Sequence, residues 1–494
     1  MKKFYLNAKA VAITLSGMML LTAAKKKVEK PNLVFIFSDQ QSFDMLGSYG
    51  NKQIKTPNLD KFSEQGLRFT HCFSNSPICT PYRGMLMSGQ HPLYNGAFFN
   101  DMPLIPGKGK KFAEVLRDAG YNTAYVGKWH LQGGDRDRPI PRGEMRYGFD
   151  ELFATNNCHV DYRAGYCFYW NEEGQKVFFD KWEVYGQTDQ TLEYLDSRKN
   201  AEKPFALFVS WHPPHDWGKF KGEDGQMHFR YDAPDELMNM YNRDSIKMRP
   251  GVENTPDRRR MYHGQMAMAS GVDLAFGQLM EKLKQLKLEQ NTIVVFTSDH
   301  GDMLEFDNSQ DPKTYPHDYS SRVPFLMRWP EKLKPDSKTE LLFSTMDIMP
   351  SILGLMGLDV PKECQGKNLA TAILTGDENA VDYIPIWMWR INAVPFRKGF
   401  RGVITRNFTY STEQGATEGS LQNVLFDRQR DPHQLTNLFT DPKMASVKEK
   451  LWKQTQEWMA RYNDHFWEST DFLKAETSDQ WVSPPYNRPV DLLK

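Results

Sequence analysis

The stretch NLVFIFSDQ (residues 32–40) is an unbroken apolar run that stops at two polar groups, Asp39 and Gln40. A short run of this kind, with no alternation, reads as a strand buried on both faces. Three further runs follow the same plan. NTAYVGKWH (122–130) comes after the amphipathic KKFAEVLRDAG (110–120) and ends at Lys128 and His130. KPFALFVSWHPPH (203–215) ends at His212 and His215. NTIVVFTSDHGD (291–302) comes after VDLAFGQLMEKLKQL (272–286) and ends at Asp299 and His300. Strands alternating with helical patterns predict an α/β fold, a large and mainly parallel sheet sandwiched by helices. Open sheets of this class bind ligands beyond the carboxyl ends of their strands, so four such endings on one edge would make one site.

Around this frame, 494 residues suggest more than one domain. MKKF followed by AVAITLSGMMLLTAA (10–24) has the charged start and apolar run of a secretory leader over 1–24, cleaved near Ala23 or Ala24. Export to a periplasm or the cell surface is expected, with no membrane span in the mature chain. Residues 25–370 read as the catalytic domain. From 371 to 494 the texture changes to a smaller α+β domain. There RGVITRNFTYST (401–412) and QNVLFDRQRDP (422–432) read as antiparallel strands, and ASVKEKLWKQTQEWMARY (445–462) as an amphipathic helix. Residues 135–200 read as a long, irregular, aromatic insertion, and 227–260 as a second one. The 62 basic and 62 acidic side chains cancel, which argues against a nucleic-acid partner.

SPICTPYRGMLMSGQHP (76–92) carries one of five cysteines, the others being Cys72, Cys158, Cys167 and Cys364. An odd count in an oxidising compartment leaves at least one thiol unpaired, and Cys79 is expected to be that thiol. Pro81 suits the first turn of a helix and Gly89 its stop. The helix start together with Arg83 would make a pocket for an anionic group or a developing oxyanion. Taken alone, the segment fits a buried cysteine beside a surface arginine equally well.

CTPYRGMLMSG (79–89) resembles the signature of the type I sulfatases, in the alkaline phosphatase-like superfamily, with Tyr82 where the family usually has serine. PNLVFIFSDQ, GYNTAYVGKWHL, FVSWHPPHDW, SDHGDML, DPKTYPHDYSSRVPFLMRWP and LFDRQRDPHQLTNL resemble further family segments in the same order, from about 31 to 440. The resemblance implies that a maturation enzyme oxidises Cys79 to formylglycine. It implies a metal held by Asp39, Gln40, Asp299 and His300, for which two carboxylates and an amide oxygen suit Ca²⁺, with Mg²⁺ as the alternative. His300 is the least natural ligand for so hard an ion. In the implied chemistry the aldehyde hydrates and one hydroxyl attacks sulfur, with Arg83, Lys128 and Lys313 stabilising charge. His215 protonates the leaving sugar oxygen, and His130 then takes the second hydroxyl's proton and sulfate departs. The expected substrate is a sulfated mono- or oligosaccharide, with exo action on galactose or N-acetylgalactosamine sulfates of host or algal glycans. An aryl sulfatase, a phosphoryl hydrolase and a silent glycan-binding protein are the alternatives. Asn100, His159, Asp161, Arg163 and Trp217 are candidates for reading the sugar.

Overall fold

The computed structural model describes residues 30–133, 136–389, 399–413 and 419–465. The leader expected over 1–24 and the final part of the C-terminal unit, 466–494, lie outside the described residues. Five parallel strands form the middle of a ten-stranded sheet: β1 (Asn32–Ser38), β2 (Asn122–Lys128), β3 (Leu152–Asn156), β4 (Phe205–Trp211) and β5 (Thr292–Ser298), in the order β5-β1-β4-β2-β3. All four runs read as strands from the sequence are there, side by side. The flanks are less regular. Phe325–Arg328 pairs antiparallel with β5, and Phe168–Trp170 pairs antiparallel with β3.

Alternate residues of β1 serve opposite layers, as a pleated strand requires. Leu33, Phe35 and Phe37 join one apolar cluster, while Val34 and Ile36 join the other. Five helices matter for the site: α1 (Cys79–Ser88), α2 (Glu183–Ser197), α3 (Pro256–Gln285), α4 (Thr345–Leu355) and α5 (Ala445–Arg461). Ile348, Met349 and Ile352 of α4 pack into the first cluster, and Met261, Phe276 and Leu279 of α3 into the second. Burying strands on both faces explains why their sequences show no polar alternation.

Register places the chemistry. Ser38 lies level with Ser298 on one side and Trp211 on the other. Asp39 and Asp299 therefore leave the sheet at the same height. Gly127 pairs with Ser210, and a Cβ there would sit 2.1 Å from the Ser210 carbonyl oxygen. Only glycine lets β2 and β4 close up just before Lys128.

The reading of 135–200 as an irregular insertion is corrected. This stretch supplies β3, two short strands, Phe168–Trp170 and Lys176–Phe178, and the fifteen-residue α2. LFATN is too short to stand out as a strand, and the middle of α2, GQTDQT, buries Gly186, Gln187, Thr188 and Thr191 rather than large apolar groups. Toward the C-terminus, Ile384–Trp387, Phe400–Ile404, Phe408–Glu413 and Val424–Asp427 form an antiparallel four-stranded sheet. Trp458 of α5 is fully buried and donates from Nε1 to the Gly402 carbonyl at 3.0 Å. Met85 of α1 shares an apolar cluster with Trp387, Trp389 and Trp458, so this sheet backs the Cys79 helix. Among the described residues no helix is long and apolar enough to cross a membrane.

Candidate active site

Cys79 is the first residue of α1, and Gly89 ends the helix in the left-handed region at φ 62°. Starting there puts Arg83 one turn on, on the same face. Both residues are buried, so the reading of a buried cysteine beside a surface arginine does not hold. The Cys79 Sγ lies 3.3 Å from His300 Nε2, 3.5 Å from Lys313 Nζ and 3.7 Å from Asp39 Oδ1. Burial opposes ionisation of this thiol, but Lys128, Lys313, His300 and a hydrogen bond from His130 outweigh it and hold it well below the ordinary range. None of the five cysteines forms a disulfide among the described residues. Cys79 is thus distinguished by its surroundings rather than by being the odd one out.

Ligand atoms of Asp39, Cys79, Asp299 and His300 all lie within 4.8 Å of one another. His300 donates from Nδ1 to the Gly301 carbonyl at 3.0 Å, which leaves the Nε2 lone pair facing this centre. Gln40 sits at φ 65°, with its backbone N–H on Asp299 Oδ1 at 3.0 Å. Its amide nitrogen donates to Asp302 at 2.7 Å and to Asp216 at 3.1 Å. That fixes which way the amide points and turns Oε1 toward Lys313 Nζ, 2.9 Å away. Two carboxylates, an imidazole nitrogen and an oriented amide oxygen fit a divalent cation. Burial and the Asp39 charge push the Asp299 carboxyl up, the response of two carboxylates crowded into one dry space.

The cationic side chains surround this cup. Arg83 Nη2 bridges Asp39 at 3.0 Å and Asp299 at 3.3 Å, and Lys128 Nζ reaches Asp39 at 2.6 Å. Burial and the Cys79 charge would raise the Asp39 carboxyl, but Lys128, His215 and Arg83 together drive it far below its usual value. Lys313 Nζ donates to His215 Nε2 at 2.8 Å, so these two residues act as a pair. His130 lies on the other side, its Nε2 bonded to Asp101 at 3.0 Å.

Sequence reasoning missed several of these partners. Asp101 clamps His130 and is itself held by Arg136. Ser210 accepts from Arg83 at 2.8 Å. Cys158 is buried beside His130 and His212; burial pushes its thiol up, but the charges of His130 and Lys128 and hydrogen bonds with His130 and His212 hold it well below the usual range. Each is a lone polar residue in a loop or at a strand end, with nothing in its local pattern to mark it.

The proposed sugar readers scatter. Asn100 Oδ1 accepts from the Thr80 N–H at 3.1 Å and so supports the start of α1. The His159 ring packs on Phe168, 4.8 Å between centroids. Arg163 and Trp217 do meet, 4.9 Å apart, although Arg163 is also paired with Asp161 at 2.6 Å. With Tyr162, Trp182, Tyr185 and Arg230 they line a cavity of about 430 Å³. Trp217 directly follows Asp216, the residue that holds Gln40, and Tyr162 of the same lining donates to the Asp216 carbonyl at 3.4 Å.

Comparison with known proteins agrees with this geometry. The family model described as Sulfatase matches residues 31–358, and the model described as N-sulphoglucosamine sulphohydrolase, C-terminal, matches 306–461. An ulvan-active sulfatase of Formosa agariphila is 32% identical, covering 96% of this chain and 92% of its own. An endo-4-O-sulfatase of Bacteroides thetaiotaomicron is 29% identical over 87% of this chain and 92% of its own. The solved phosphonate monoester hydrolase of Agrobacterium radiobacter, 20% identical with a TM-score of 0.66, covers 87% of this chain and 96% of its own and shares the fold.

Proposed function

The chain belongs to the sulfatase family, and from that premise we propose that it removes sulfate esters from a sulfated glycan. The proposed substrates are terminal galactose or N-acetylgalactosamine sulfates of host or algal origin. The observation that carries this reading is the position of Cys79, with Sγ 3.5 Å from Lys313 Nζ and 3.3 Å from His300 Nε2, at the head of a buried helix. In this reading a maturation enzyme converts Cys79 to formylglycine, whose hydrate supplies the nucleophilic oxygen where Sγ now stands. Asp39, Gln40, Asp299 and His300 would hold the cation, Ca²⁺ or alternatively Mg²⁺, which supplies Lewis-acid polarisation of a sulfate oxygen.

The rest is done by this chain's own side chains. Arg83 holds Asp39 and Asp299 apart and in place. Lys128 and Lys313 present fixed positive charge to the sulfate oxygens, in a space from which water is excluded. His215, at the open side of the cup with its side chain 13% exposed, passes a proton to the departing sugar oxygen in concert with Lys313. His130, oriented by Asp101, accepts the proton whose loss releases sulfate. Export directed by residues 1–24 is part of the proposal; cell fractionation with and without that segment tests the point.

Turnover of defined sulfate and phosphate esters, with the mass of the peptide containing position 79 read in the same sample, tests the whole reading. Sulfated sugars turned over in proportion to aldehyde content are expected. Preferential hydrolysis of phosphomonoesters would overturn it.

A further inference from the structure

A second group of metal-ligating side chains lies outside the charged cup. Asp224 and His228 belong to the hairpin formed by Lys219–Lys221 and Met227–Phe229, and Asp257 sits in the first turn of α3. Their ligand atoms lie within 4.8 Å of one another. His228 Nε2 is 3.1 Å from both Asp224 oxygens and 3.8 Å from Asp257 Oδ2. Its Nδ1 meets Glu305 Oε1 at 2.8 Å. A carboxylate on one imidazole nitrogen is the arrangement that fixes the tautomer and turns the other nitrogen into a metal ligand.

Charge and space suit a cation. Asp224, Glu253 and Glu305 stand around one cavity of about 380 Å³, against Lys219 and Arg258, and Asp257 lies behind His228 at 3.8 Å from its Nε2. Four carboxylates and two cations leave two negative charges when His228 is neutral. Ser309 lines the same cavity, is 3% exposed, and its hydroxyl has no hydrogen-bond partner among the described residues. The hairpin closes over the cluster at Gly222, where a Cβ would stand 2.5 Å from Asp257 Oδ2 and 2.6 Å from His228 Cδ2.

We propose that Asp224, His228 and Asp257 form a second cation site for a zinc-type divalent ion, separate from the charged cup. One imidazole and two carboxylates with an open side suit Zn²⁺ better than a hard ion that wants only oxygen. Glu305 lies on the segment between Asp302, which holds Gln40, and Lys313. An ion here ties the hairpin and the start of α3 to the segment that delivers Lys313.

The test is zinc binding by the full chain with Ca²⁺ kept saturating, read by calorimetry and by elemental analysis after desalting. Wild type is expected to hold one zinc ion more than Asp224→Asn or His228→Gln, with at least ~100-fold weaker binding in the variants. Glu305→Gln, which loses only the orienting partner, is expected to weaken binding about 10-fold. The Asp224 side chain is 45% exposed, so Asp224→Asn leaves the packing intact if His228→Gln does not fold. Equal zinc content and affinity in wild type and Asp224→Asn would overturn the proposal. So would a wild type that binds no zinc; the charge balancing the cluster would then be a proton on His228.

Discussion

Cys79 and Arg83 carry the densest set of consequences. Arg83 is fully buried between two carboxylates and donates to the Lys128 carbonyl and to Ser210. Removing it leaves Asp39 to Lys128 alone and takes from Asp299 its arginine partner. Arg83→Met is expected to destabilise the metal-free protein by about 3–5 kcal/mol, the cost of an unpaired buried charge. Urea melts with and without Ca²⁺ check this, because an added dication should restore part of the loss in the variant. Cys79→Ala changes the packing little but leaves no heteroatom on Cβ from which the aldehyde could be made. Its turnover should fall by at least ~10³-fold while its urea midpoint stays near that of wild type. The pattern around Cys79 could be read because several roles follow one another within eleven residues. Asp101, Ser210 and Asp302 could not be read, because what matters is where the fold brings them. Gln40 and Asp302, for example, are 262 residues apart and bonded at 2.7 Å.

Among the elements, the joint between the Cys79 helix and the C-terminal sheet sets stability. His91 lies just past α1, packed on Tyr462 at 4.7 Å and Trp387 at 4.5 Å. Its Nδ1 accepts from the Leu93 N–H, and Nε2 has no hydrogen-bond partner among the described residues. Burial pushes its pKa down to about 3, with Asp464 pulling the other way and Arg401 assisting. An unfolded imidazole titrates near 6.5, so between those values unfolding takes up a proton. Stability from this group is therefore complete above about pH 6.5 and is lost as the pH falls. The loss should amount to about 2 kcal/mol by pH 5. His91→Asn retains a capping acceptor and should show a flatter decline between pH 7 and 5 in chemical melts. Truncating the other side of the joint, Trp458→Ala, should cost about 3–5 kcal/mol. The helix carrying Trp458 was legible from its apolar stripe. The apolar cluster it shares with Met85 of the Cys79 helix was not, since helical periodicity shows which face is buried but not what covers it.

For the molecule as a whole, the parallel centre of the sheet is the organising fact. Four apolar runs ending in polar residues sufficed to place Asp39, Lys128, His215 and Asp299 on one edge, because parallel strands in register must end together. The antiparallel flanks and the 152–197 region escaped that reading, being built from short strands and a helix with a polar interior. A cup with two crowded carboxylates should be stabilised by the cation it holds. Ca²⁺ at 100 times its dissociation constant should add about 2.7 kcal/mol. Chelation should remove that increment from wild type and leave Asp299→Ala unchanged, as read by thermal melts. The most direct test of the central claim is peptide mass at position 79 set against sulfate release, on protein made with and without a maturation enzyme. The account expects aldehyde at position 79 only in the co-expressed protein, with sulfate release rising in proportion to it. Equal sulfate release from protein in which Cys79 remains a thiol would contradict it.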